Sequence, residues 1–169
     1  MPVKSRVAEL PAMSGSGDDA PLQAACGYYL ISQEDGFVLH MSCSHERLSA
    51  LRSLVTKTVT GAGVGDTVAD CAELVTSELV SNAVRACGPW APVVVRLTVD
   101  EGAVLVEVHD PDRAALPERW ATAPDDATSE SGRGLWILDA LAPGWRVRLT
   151  PLGKQIECRL PYAEAVTQA

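Results

Sequence analysis

The sequence predicts one α+β domain, a two-layer α/β sandwich with helices on one face of a mainly antiparallel sheet. Segments in which apolar residues recur at helical spacing alternate with segments typical of strands. One pair of these strands is joined by a turn short enough for an antiparallel hairpin. The 169 residues are 47% hydrophobic, which is sufficient for one core.

The charge and the cysteines exclude several classes of protein. The formal net charge is -8, with 22 acidic and 14 basic side chains, whereas nucleic-acid surfaces need clustered Lys and Arg. The five cysteines have neither the spacing of a disulfide framework nor that of a zinc site. No stretch is long and apolar enough to span a membrane, and the amino terminus lacks a signal-peptide pattern. We therefore expect a cytoplasmic protein without a nucleic-acid or membrane partner.

The first part of the chain is predicted to be a leader, a strand and a helix. Residues 1–27 mix Pro, Gly, Ser and Asp without periodicity, so we expect a flexible leader before a domain at 28–163. Gly36–Ser42 has the composition of a short strand. Ser44 can then cap a helix over 46–58.

The central part is predicted to be a long helix followed by a hairpin. Asp66 can cap a helix that continues to about residue 86, because apolar residues recur on one face of that segment. This face consists of Val68, Cys71, Ala72, Val75, Leu79 and Ala83. Strands are predicted at 93–99 and 103–108, and the Asp-Glu-Gly between them favours an antiparallel turn.

The last part is predicted to be a loop, a helix and two strands. Residues 111–131 are rich in Pro, Asp, Thr and Ser and lack periodicity, which is typical of a mobile loop. Gly-Arg-Gly at 132–134 is predicted to lead into a helix at 135–141. The closing strands are predicted at 145–150 and 155–160.

Two polar residues share one face of the long helix. Glu78 and Asn82 are four positions apart, so their side chains project about one turn from each other. An amide oxygen can ligate Mg²⁺, and a carboxylate one turn earlier can polarise an attacking hydroxyl or water. The alternative is that both side chains lie on a solvated helix face, since such pairs are common.

Two further motifs lie at the ends of predicted elements. Asp110 closes a strand, where its carboxylate can accept a hydrogen bond from the exocyclic amine of adenine or simply form a turn with Pro111. Gly132 and Gly134 precede a helix, where their amides can face an anion or form an ordinary loop-to-helix junction. Each motif alone leaves both interpretations open.

In their order along the chain, these motifs resemble the GHKL superfamily of ATP-binding domains, which have the Bergerat fold. Within that superfamily the chain is similar to the small anti-sigma-factor serine/threonine kinases of Gram-positive bacteria. The resemblance covers about residues 44–160. Its most specific parts are Glu-Leu-Val-Ser-Asn-Ala-Val at 78–84 and Ser-Gly-Arg-Gly-Leu-Trp-Ile-Leu at 131–138.

The resemblance implies a role for each motif. Glu78 matches the general base, Asn82 the Mg²⁺ ligand and Asp110 the residue that binds adenine, while 111–131 matches a lid over ATP. The other nucleotide-binding positions that it implies are Gly132, Arg133, Gly134 and Leu135. The implied cofactors are ATP and Mg²⁺, and the implied partners are a sigma factor and a STAS-type anti-anti-sigma protein. A homodimer is compatible with the same resemblance.

Two departures from the family pattern leave three functions open. The first glycine box, Asp-x-Gly-x-Gly, is replaced by Asp-Pro-Asp-Arg-Ala at 110–114, and a frequent His after Asn-Ala is replaced within Arg-Ala-Cys at 85–87. The resemblance implies a kinase that phosphorylates an anti-anti-sigma antagonist and binds a sigma factor, whereas the departures favour less activity. The alternatives are a catalytically weak or inactive nucleotide-binding partner-switching module, and an interaction domain with a vestigial pocket.

Overall fold

A computed structural model describes residues 27–114 and 130–162 of the chain. The elements in these residues are β1 (Tyr28–Gln33), β2 (Gly36–Ser42), α1 (His45–Gly61), α2 (Asp66–Cys87), β3 (Pro92–Asp100), β4 (Ala103–Asp110), α3 (Glu130–Leu141), β5 (Arg146–Thr150) and β6 (Gly153–Pro161). The predicted leader, apart from Gly27, and residues 115–129 of the predicted lid lie outside the described residues.

The strands form a six-stranded sheet in the order β1-β2-β3-β4-β6-β5. Each neighbouring pair is antiparallel. On β6, Ile156, Cys158 and Leu160 belong to the hydrophobic core, whereas Glu157 and Arg159 between them are exposed. This alternation gives the sheet a core face, on which the helices pack, and an outer face. The predicted α+β class, with helices on an antiparallel sheet, is confirmed.

Strand β1 is an element that the sequence prediction missed. Among the described residues it pairs only with β2, at one edge of the sheet, and of its six residues Tyr28 alone is buried. An edge strand that is mostly exposed does not need the alternation of apolar and polar residues by which strands are recognised in a sequence. The sheet therefore extends one strand further toward the amino terminus than predicted.

Helix α1 begins where the sequence predicts it. Ser44 is the N-cap, and its Oγ accepts a hydrogen bond from the backbone N of Arg47 at 3.3 Å. Leu51, Val55 and Val59 are buried at a spacing of four residues, which places one face of the helix in the core. None of the helices in residues 27–114 and 130–162 is long and apolar enough to cross a lipid bilayer.

Helix α2 matches the prediction except at its cap. The N-cap is Gly65, in an extended conformation, and not Asp66, which is the first helical residue. Asp66 nevertheless favours this end of the helix, because a carboxylate in the first turn interacts well with the helix dipole. The buried face consists of Ala69, Ala72, Val75, Thr76, Ser77, Leu79, Val80 and Ala83. The predicted apolar residues Val68 and Cys71 lie at the edge of this face and are partly buried.

Helix α3 begins earlier than the sequence predicts. Its first residue is Glu130, so the glycines at 132 and 134 lie within the helix and not in a turn before it. The prediction of a glycine turn at this place is therefore wrong. Glycine reaches helical dihedral angles without a steric barrier, so two glycines lower helix propensity without preventing helix formation.

Candidate functional site

The sequence-predicted pair Glu78 and Asn82 lies on α2 at the border of the core. Both side chains are partly buried, and the adjacent Leu79 and Ala83 are buried against the rest of the fold. The pair is therefore held in a fixed place by apolar neighbours one position further along the helix. The two side chains do not lie on a fully solvated face.

Glu78 borders the space between α1 and α2. It lines a cleft of about 690 Å³ together with Ser81 and Arg85 of α2 and with Ser44 and His45 at the start of α1. It also lines a smaller cleft of about 300 Å³, whose other lining residues come from α1 and α2 as well. The carboxylate thus has open volume beside it, which a general base requires for access to an incoming hydroxyl.

The amide oxygen of Asn82 already has a donor within the chain. Arg85, three residues later on α2, donates a hydrogen bond from Nη2 to Asn82 Oδ1. This is the oxygen that the resemblance assigns to Mg²⁺. Since a guanidinium and a metal ion cannot share one close position, the Arg85 side chain has to move before Asn82 can act as a ligand. Arg85 is exposed, so such a movement is sterically open.

Asp110 is buried at the end of β4 and forms an ion pair. Its exposed fraction is 2%, and Lys154 on β6, which is 4% exposed, donates from Nζ to Asp110 Oδ1 at 3.0 Å. The two residues are direct partners in the antiparallel β4–β6 register. Lys154 Nζ also donates to Asp112, to the backbone O at 2.9 Å and to Oδ2 at 3.3 Å.

The sequence prediction missed Lys154, although a signal for it exists. Ile156, Cys158 and Leu160 are buried at alternate positions of β6, and continuing the alternation backward places Lys154 on the same core face. A lysine on the core face of a strand requires a charged or strongly polar partner. What the pattern does not reveal is that the partner is Asp110, 44 residues earlier.

The carboxyl end of α2 meets the end of β4. Burial is the main cause that raises the pKa of the Cys87 thiol, and the negative charges of Asp110 and Asp112 raise it further, while Lys154 and the Asp112 backbone lower it. These charges act on Cys87 because the last residue of α2 is close to them. Asn82 is five residues earlier, or about 7.5 Å along the helix axis. The structure thus brings the Glu78–Asn82 helix and Asp110 to one region.

For residues 132–135 the structure gives the helix that contains them and the element on which that helix packs. Gly132, Arg133, Gly134 and Leu135 belong to α3, which packs against α2. The helix next to the Glu78–Asn82 helix therefore carries the predicted phosphate-binding segment. Their role in nucleotide binding stays a prediction.

The predicted site offers one side-chain oxygen, that of Asn82, to a magnesium ion bound together with a nucleotide. In the part of the chain that the structure describes, no three His, Cys, Asp or Glu side chains come together as metal ligands. Mg²⁺ usually takes only one or two protein oxygens, with phosphates and waters as its other ligands. Asn82 can supply one such oxygen after Arg85 moves, so the residue types fit.

The chain belongs to the family of histidine kinase-like ATPase domains. The model of that family matches residues 41–160, which run from the end of β2 to all but the last residue of β6. The chain is also similar to an uncharacterized protein of Streptomyces coelicolor. The two are 37% identical over 83 residues, which are 48% of this chain and 77% of the relative. Membership of this family supports ATP as a ligand of the chain.

Proposed function

We propose that this chain is an ATP-binding regulatory protein of the anti-sigma-factor type that transfers phosphate to a serine or threonine of a small antagonist protein. The observation that supports this most directly is that the helix carrying Glu78 and Asn82 ends, at Cys87, close to the buried Asp110. A family of histidine kinase-like ATPase domains covers all three positions.

The proposed reaction assigns one task to each residue. The oxygen of a substrate hydroxyl forms a bond to the γ-phosphorus of ATP, the bond from that phosphorus to the bridging oxygen breaks, and ADP leaves. Glu78 accepts the proton of the hydroxyl, and Asp110 holds the adenine amine. Mg²⁺, held by Asn82, would supply charge neutralisation on the phosphates. Positioning by the protein supplies the remainder of the catalysis.

The proposed partners come from the resemblance. A STAS-type anti-anti-sigma protein would present the acceptor hydroxyl, and a sigma factor would be the protein that is held or released. Fold does not determine function, so these partners need their own test. The cleft beside Glu78, between α1 and α2, is open to a side chain from another protein, which is compatible with a protein substrate.

A second candidate function is nucleotide binding without transfer. Two departures from the family pattern favour it: Asp-Pro-Asp-Arg-Ala at 110–114 replaces the first glycine box, and Arg-Ala-Cys at 85–87 replaces a frequent His. In this version ATP changes the affinity for a partner by stabilising one conformation.

One experiment with purified protein distinguishes the two candidate functions. The chain is titrated with Mg-ATP by calorimetry, and labelled ATP is then incubated with the chain and candidate antagonist proteins. Saturable binding with labelling of an antagonist supports the kinase, and saturable binding without labelling supports the binding module. If no ATP binds at any accessible concentration, both proposals are wrong.

The proposed roles of Glu78 and Asn82 predict different effects when each residue is replaced. Glu78→Gln should keep Mg-ATP binding while phosphate transfer falls by about 100-fold or more, because only the proton acceptor is lost. Asn82→Ala should weaken Mg-ATP binding itself, because the metal loses a ligand. Glu101→Gln, in the exposed β3–β4 turn, is the matched control for loss of one carboxylate and should behave as the parent. Transfer by Glu78→Gln at the parental rate would contradict the assignment of the base.

A further inference from the structure

The ammonium group of Lys154 makes all its bonds within the chain. A lysine ammonium has three N–H donors. Three acceptors surround this one: Asp110 Oδ1 at 3.0 Å, Asp112 O at 2.9 Å and Asp112 Oδ2 at 3.3 Å. Because Lys154 is also buried, it has no donor left for a ligand. Any effect of Lys154 on a ligand must act through the two aspartates.

Two donors fix the Asp110 carboxylate in one orientation. Oδ1 accepts from Lys154 Nζ at 3.0 Å and from the backbone N of Asp112 at 2.9 Å. A carboxylate has about four lone-pair sites in total, so two bonds do not exhaust its capacity. The positive charge of Lys154 compensates the negative charge of a group that is buried. Asp110 is thus an oriented acceptor with lone pairs beyond those that these two bonds use.

The same contacts hold the backbone that follows β4. Gly153, next to Lys154, leaves no room for a side chain, since a Cβ there would lie 1.9 Å from the backbone O of Asp110. Pro111 restricts its own φ, and Asp112 Oδ1 accepts from the backbone N of Ala114 at 2.9 Å. This junction is therefore closely packed and hydrogen-bonded at the place where the family pattern has glycines.

We propose that Lys154 is a positioning residue for base recognition, which clamps Asp110 and Asp112 so that the Asp110 carboxylate distinguishes adenine from bases without its exocyclic amine. This inference rests on the proposed function, because it concerns the base specificity of the same pocket. Adenine carries an amine donor where guanine carries an acceptor oxygen. An oriented carboxylate accepts a hydrogen bond from the amine and repels the oxygen.

The test compares ATP with inosine triphosphate, which has a carbonyl oxygen in place of the adenine amine. The parent, Lys154→Met and Lys57→Met are each titrated with both nucleotides in the presence of Mg²⁺. Lys154→Met should bind ATP roughly tenfold more weakly or worse, which corresponds to the loss of one well-formed hydrogen bond to a charged group. Inosine triphosphate should lose less affinity, so the ratio of the two affinities should fall toward one. Lys57→Met, exposed on α1, should match the parent.

A second variant keeps the test decisive if Lys154→Met fails to fold. Asp110→Asn combined with Lys154→Met removes both charges of the buried pair, and its fold is checked by circular dichroism. An amide both donates and accepts, so this double variant should bind the two nucleotides with similar affinity. A parental affinity ratio in whichever of these variants folds overturns the role of Lys154. If the parent binds neither nucleotide, the proposed function itself fails.

Discussion

Gly153 shows how a single residue determines the position of Asp110. A Cβ at Gly153 would lie 1.9 Å from Asp110 O and 2.7 Å from the Cα of Pro111, and its φ of +152° is one that residues with side chains rarely adopt. The strand carrying Lys154 can therefore approach the end of β4 closely enough for the ion pair to form. The carboxylate depends on this backbone contact as well as on its charged partner.

Replacement of Gly153 is expected to be costly. Gly153→Ala should lower the free energy of unfolding by about 1–3 kcal/mol or more, because the new methyl group forces the backbones of β4 and β6 apart. It should also weaken ATP binding, since Asp110 moves with β4. Gly144→Ala is the control, because a Cβ there meets no atom within 4 Å. Equal unfolding free energies of both variants in urea would contradict the close contact.

The buried cysteines give the stability of the fold a dependence on pH. Burial raises the pKa of the Cys158 thiol from 9.0 to about 12, with a smaller contribution from Glu157. Burial likewise raises the pKa of Cys43 to about 11, with Cys87 adding to the effect and Arg47 opposing it. As the pH rises above 9.0, the unfolded chain loses thiol protons that the folded chain retains. Stability is therefore full below 9.0 and decreases above it.

Urea unfolding of the parent and of Cys158→Ala tests this dependence. The parent should lose stability as the pH rises from below 9.0 toward 11, because the unfolded Cys158 thiol ionises there while the folded Cys158 thiol, with a pKa of about 12, keeps its proton. The variant is less stable at every pH, because a buried sulfur is lost, but its decrease over the same interval should be smaller. An equal decrease in both proteins would exclude Cys158 as a source.

Helix α2 carries both core residues and two of the proposed functional residues. Its buried face, which includes Val75, Leu79 and Ala83, packs in the core, and the adjoining positions carry Glu78 and Asn82. The two sets of residues alternate along the same turns of one helix. A change that loosens the packing of α2 should therefore also displace the functional pair.

A buried and an exposed leucine on α2 allow the effect of core packing to be measured apart from that of helix propensity. Leu79 is 1% exposed and Leu74 is 42% exposed. Leu79→Ala should lower the free energy of unfolding by about 2–5 kcal/mol, because it leaves a cavity in the core. Leu74→Ala should change it by no more than about 0.5 kcal/mol. Thermal or urea unfolding measures both, and similar losses in the two variants would contradict the observed orientation of the helix.

Local patterns predicted most elements, and what they missed has either a weak local pattern or a contact between distant residues. The bounds of β2 and the Ser44 cap follow from strand-type composition and from capping chemistry, which act over a few residues. Edge strand β1 lacks a buried face, and α3 includes two glycines that favour a later start. The Lys154–Asp110 pair depends on the β4–β6 register, which no local pattern specifies.

At the scale of the whole molecule, the sheet order brings separate parts of the chain together. β6 lies between β4 and β5, so Lys154 is placed directly opposite Asp110. α2 packs across β3, β4 and β6, and its last residue, Cys87, meets the Asp110 region. The candidate site is therefore a property of the topology, and the sequence motifs only mark its parts.

The central claim is that α2 and the end of β4 bind one nucleotide together. Nitrogen–proton correlation spectra during a titration with Mg-ATP test it most directly. The side-chain amide of Asn82 and the backbone amides of Asp110 and Lys154 should shift over the same range of ATP concentration, while Lys57 and Glu101 stay unchanged. Shifts at Asn82 without shifts at Asp110 and Lys154, or with a different midpoint, would contradict a shared site.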